Sequence, residues 1–143
     1  MLLVAEINTD AKYYQKPMVL ELHGRDLKLV AGEYFSGEEL KKFLNRTPRI
    51  LVTNFSRKNG VNTEIRSLAG VGFDSPDYLE AWREEFERQG FYAEIVDEKR
   101  ARVWENIRGS GLDRDIQDAV VYGIQRLSDE AVDNIQKELA KIL

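Results

Sequence analysis

The sequence predicts an α/β domain in three layers, a mixed sheet of about five strands with helices packed on it and a helical tail at the C-terminus. Three observations predict it. Apolar or alternating runs of strand length stand at 2–8, 17–22, 26–32, 49–55 and 91–96. The first three follow one another with no helical pattern between them, and from there helix and strand signals alternate. A chain of 143 residues suits one domain, 1–143, which by size scaling buries roughly two-thirds of its unfolded surface.

Each element has a local reason. Leu2 to Asn8 is an apolar run broken only by Glu6 and reads as a buried strand. Pro17–Leu22 and Asp26–Gly32 alternate, and His23-Gly24-Arg25-Asp26 between them has the makings of a tight hairpin turn. A turn favours solvation, so His23 is read as exposed rather than as a catalytic base. Ser36-Gly37-Glu38-Glu39 is a capping box that opens a helix to about Asn45, with Leu40, Phe43 and Leu44 inward and Thr47-Pro48 as its stop. Arg49 to Phe55 is the next strand. The polar, glycine-bearing connection 56–74 leaves room for a short strand or helical turn around Thr63–Leu68.

Ser75-Pro76-Asp77 starts a helix whose apolar face is Leu79, Trp82 and Phe86, and Gly90 ends it. Phe91–Val96 alternates as a strand. Leu112–Leu127 reads as one helix with Ile116, Ala119, Val120, Gly123, Ile124 and Leu127 as its buried stripe. Ser128 caps a last helix, 128–142, with Val132, Ile135, Leu139 and Ile142 inward. A helix of only ~four turns is marginal alone, so it must pack on the domain or on a partner.

Composition narrows the chemistry. There is no cysteine, which excludes disulfides, thiolate nucleophiles and Cys-based zinc sites, and the single histidine excludes His-rich metal sites. No apolar run approaches the ~20 residues that span a bilayer, and the N-terminus lacks a signal peptide's basic start. The expectation is therefore a cytoplasmic protein with no membrane role. The net charge of −4 conceals segregation: residues 41–66 carry seven bases against one acid, and the flanking segments are acidic. A second basic stretch holds Lys99, Arg100, Arg102, Arg108 and Arg114. Local basic stripes of this kind attract phosphate backbones even on an acidic protein.

Carboxylates are what remains for catalysis. Glu6 interrupts an apolar strand, where an unpaired charge costs several kcal/mol. Asp10 lies just beyond that strand. Asp115 and Asp118, at i and i+3, share one helix face that borders the apolar stripe. If Glu6 lies across that seam, three carboxylates converge, and like charges held together demand a cation. Hard oxygen ligands favour Mg²⁺ or Mn²⁺, and a pair of such ions cleaves phosphodiesters. Gly109-Ser110-Gly111, beside Arg108 and Arg114, has the composition of a backbone anion nest.

The strand–helix order resembles the ribonuclease H-like fold, and the C-terminal part is similar to RuvC-type Holliday-junction resolvases and related transposases. The residues that carry the likeness are Tyr92-Ala93-Glu94-Ile95-Val96, then Arg102 to Arg108, Gly109-Ser110-Gly111, and Asp115-Ile116-Gln117-Asp118-Ala119. The resemblance implies that Asp115 and Asp118 are metal ligands on the last catalytic helix. It places Glu6 where the family has an Asp, and Asn54 where the family has an acid near the end of the fourth strand. Two readings result. In the first, the chain is a Mg²⁺- or Mn²⁺-dependent nuclease acting on DNA or RNA, with Glu6, Asp115 and Asp118 catalytic and Asp10 or Asn54 as a fourth contributor. Arg49, Arg57, Lys58, Arg66, Lys99, Arg100, Arg102, Arg108 and Arg114 then hold the backbone. In the second, it is a non-catalytic α/β domain with a protein-interaction or assembly role, a homo-oligomer among its forms.

Overall fold

In a computed structural model of the chain, residues 1–7, 17–24, 26–32, 50–53, 64–68 and 78–143 are described. The strands are β1 Leu2–Ile7, β2 Met18–His23, β3 Asp26–Ala31, β4 Ile50–Thr53, β5 Glu64–Leu68 and β6 Phe91–Val96. The helices are α1 Tyr78–Arg88, α2 Glu98–Arg108, α3 Arg114–Tyr122 and α4 Asp129–Ile142, with a 3-10 turn Ile124–Arg126 before α4. The helix expected at 36–45 and the Ser75-Pro76-Asp77 start lie outside the described residues.

One six-stranded sheet runs in the order β4-β5-β3-β2-β1-β6. The α/β class is as expected, but the sheet is not mixed: every pairing is antiparallel. Alternating helix and strand signals suggested parallel crossovers. Instead residues 64–68 form a sixth strand, antiparallel to both β3 and β4, and β6 runs back along β1. The β2–β3 hairpin turns where expected, with Gly24 at φ 62° and His23 exposed.

Alternation along the strands sorts their side chains into two cores. Leu3 and Ala5 of β1 join Leu20, Leu27, Ile65 and Ala93 beneath α1, which contributes Tyr78, Trp82 and Phe86. Val4 and Val19 face the other way, with Val96, and meet Val103, Trp104 and Ile107 of α2, Val121 of α3, Ile124, and Val132 and Leu139 of α4. The sheet is thus sandwiched between α1 and a layer of three helices. The tail 128–142 packs on the domain itself.

Two helical features depart from expectation. Helix α2 forms over residues expected only as a basic stretch. Its signals are present: Asp97 accepts from the Arg100 amide as N-cap, and Ala101, Trp104 and Ile107 recur every three residues on the buried side. The helix expected over 112–127 stops at Tyr122, and its buried residues are Gln117 and Val121. Of the predicted stripe only Ile124 is fully buried. Ile116 is 50% exposed and Ala119 is exposed, so α3 is rotated from the orientation its apolar residues favour.

Candidate functional site: a carboxylate–guanidinium cluster

Glu6 shares its face of β1 with Leu2 and Val4, so its side chain points at the three-helix layer. Trp104 and Arg108, one turn apart on α2, come down on it. Arg108 donates from Nε to Glu6 Oε2 at 3.0 Å and from Nη2 to Oε1 at 2.7 Å. Trp104 Nε1 donates to Oε2 at 2.8 Å. The Arg108 side chain is wholly buried and that of Glu6 is 4% exposed.

The guanidinium reaches α3 as well. Arg108 Nη1 donates to Asp118 Oδ1 at 2.7 Å and to Gln117 Oε1 at 3.4 Å. Gln117 in turn donates to the Leu112 carbonyl at 2.7 Å, and Arg114 Nε contacts Asp118 Oδ1 at 3.3 Å. These bonds account for the rotation of α3. A buried guanidinium needs acceptors, and the ones within reach are Gln117 and Asp118. Turning them inward carries Ile116 and Ala119 outward.

Aromatic rings close the cluster. Tyr92 is the β6 partner of Glu6 in the sheet register. It packs against Trp104 at 5.5 Å and against Tyr122 at 4.8 Å, edge to face, and the Arg108 guanidinium lies 5.9 Å from the Tyr122 ring centre. Burial, reinforced by the carboxylates of Glu94 and Glu6, pushes the Tyr92 phenol up to about 12.

Of the three carboxylates expected to converge, two, Glu6 and Asp118, are bound by one side chain. Glu6 and Asp118 do meet across the seam between sheet and helix, but the cation between them is Arg108, which the sequence reading assigned to a phosphate backbone. Asp115 does not join them. It is exposed and, with Asp118, Ala119, Tyr122, Gly123, Arg126 and Leu127, lines an open groove of about 580 Å³. Asp10 and Asn54 lie outside the described residues. Among the described residues no group of three or more acids or histidines is placed to hold a metal ion.

The basic residues are similarly engaged. Arg66 pairs with Glu64 at 2.6 Å, Lys99 with Asp133 at 3.1 Å and Arg102 with Glu98 at 2.6 Å. Arg100 pairs with Asp97 and Asp129 and donates to the carbonyls of Ile124 and Leu127, which ties α2 to the turn before α4. Arg108 and Arg114 belong to the cluster above. Arg49, Arg57 and Lys58 lie outside the described residues. In the Gly109-Ser110-Gly111 turn, Ser110 Oγ donates to the Ile107 carbonyl at 2.6 Å and so closes the end of α2. No helix among the described residues is long and apolar enough to cross a membrane.

Searches with the whole chain match no protein-family model, no curated protein and no solved structure.

Proposed function

We propose that this chain is a non-catalytic α/β domain with a protein-interaction or assembly role. Its scaffold resembles ribonuclease H-like nucleases in setting one acid on the first strand and another on a late helix so that they meet, and departs from them in its antiparallel sheet. The observation that carries the reading is Arg108. Its bidentate bond with Glu6 and its contact with Asp118 put a fixed positive charge where the nuclease reading needs a divalent ion.

The donors do not fit a metal. Both Glu6 oxygens already accept hydrogen bonds, Trp104 shares one of them, and Mg²⁺ at that point meets repulsion from a guanidinium that is always charged. Displacing Arg108 leaves it buried without its partner, which costs about 3–5 kcal/mol. The α3 surface favours the interaction role, because satisfying Arg108 turns an apolar helix face outward.

The test is metal and nucleic acid together. The full chain in millimolar Mg²⁺ or Mn²⁺ is expected to show no rise in melting temperature and no cleavage of branched, duplex or hybrid substrates. Metal-dependent cleavage that Asp118→Asn abolishes, with the circular dichroism spectrum unchanged, restores the nuclease reading.

A further inference from the structure

We infer that the outward face of α3 is a self-complementary surface that pairs two copies of this chain, antiparallel, about a two-fold axis at Ala119. The inference rests on the interaction reading above and names its partner.

Helical geometry supplies the argument. Each residue advances 1.5 Å and 100°, so with Ala119 at the centre, Asp115 and Tyr122 lie on one flank, about 40° and 60° from it, and Gly123 and Ile116 lie at similar angles on the other. Asp115, Tyr122 and Arg126 line the same open groove. A two-fold axis that makes the helices antiparallel inverts height along the helix and keeps the flank. Asp115, about 6 Å to one side of the centre, then faces Tyr122 of the other copy, and Arg126 of that copy, which lies in the 3-10 turn after α3 and lines the same groove, comes next along that flank. Ile116 faces Gly123 of the other copy, where the missing side chain leaves room for it. Ala119 meets its own image, and its small side chain allows close approach. Acid meets base and phenol on one flank, and an apolar side chain meets a gap on the other. A heterologous partner offers no reason for both matches to arise from one helix.

The exposed members are also held in place. Tyr122 is 41% exposed, yet its ring is fixed by Tyr92 at 4.8 Å and by Arg108. An aromatic side chain already ordered loses little entropy on association, which is the character of an interface anchor. Asp115 and Arg126 are exposed, and no ion pair is seen for either among the described residues.

Sedimentation equilibrium or light scattering on the full chain, over a wide concentration range, tests this. Wild type is expected to show reversible monomer–dimer association that weakens with salt. Ala119→Arg, with helix content unchanged, is expected to weaken it at least about tenfold. The specific signature is a mixing experiment. Asp115→Arg and Arg126→Asp each place like charges at both ends of the homodimer and are expected to be monomeric alone, whereas an equimolar mixture of the two pairs opposite charges at both ends and recovers the dimer. A wild type that stays monomeric, a dimer indifferent to Ala119→Arg, or a mixture no better than its components overturns the inference. A monomer that is also indifferent to Mn²⁺ leaves the non-catalytic reading standing, whereas metal-dependent cleavage removes that reading itself.

Discussion

At the scale of single residues, Arg108 decides more than any other side chain. Two buried charges are costly to desolvate, and only the bidentate geometry, the Trp104 indole and the contacts with Asp118 and Gln117 offset that cost. Arg108→Met is expected to destabilise the fold by about 3–5 kcal/mol in urea denaturation, because it strands Glu6, and Glu6→Leu in the same chain is expected to recover most of the loss. Tyr92 gives a pH signature. Its phenol titrates near 12 in the folded chain and near its ordinary value of 10 in the unfolded chain, so the native state holds the proton longer. Stability from this group is complete below pH 10 and is lost as the pH rises from 10 towards 12. Tyr92→Phe is expected to flatten the fall of stability measured across that window. Glu6 was legible in the sequence as a charge that needed a partner; which partner was not. Arg108 stands 102 positions away, and nothing local distinguishes it from Arg102, which pairs with Glu98 at the surface.

At the scale of elements, strands were the most legible parts. Alternation located β2, β3 and β6, and a short apolar run located β1, each within a residue or two, because both patterns follow directly from which sides of a strand face a core. Gly32 shows how tightly two of them meet. It has φ 117°, and a Cβ there would lie 2.1 Å from the carbonyl oxygen of Pro17, the residue before β2. Gly32→Ala is accordingly expected to cost at least about 2 kcal/mol, read as a lowered denaturation midpoint, since the obstacle is backbone. Helices were legible unevenly: α1 and α4 bury the Trp82–Phe86 and Val132–Leu139 faces expected of them, whereas α2 was not expected and α3 is turned. The apolar residues of α3 pointed to a buried face of Ile116 and Ala119, and the rule that apolar side chains turn inward lost to the acceptor demand of Arg108. Helix α2 carries its bases Lys99 and Arg102 on the exposed side, so its composition reads as a charged stretch although Ala101, Trp104 and Ile107 form a buried face.

At the scale of the whole molecule, the C-terminal helix belongs to the fold. Val132 and Leu139 are buried in the same core as Trp104, and Arg100 binds the carbonyls of the preceding turn. Truncation after Leu127 is therefore expected to cost about 3–6 kcal/mol of stability from those two side chains alone, measured by urea unfolding. The chain's segregated charges look different once folded. Bases at 99–114 that read as a phosphate-binding stretch are paired with acids from β1, α2, α3 and α4. The α/β class, most strand positions, the capped last helix and the exclusion of thiol chemistry and His-rich metal sites all follow from local patterns and composition. Strand direction, the rotation of α3 and the cation that joins Glu6 to Asp118 emerge only on folding. Those depend on contacts between distant segments, where one buried guanidinium outweighs the preference of a whole helix face.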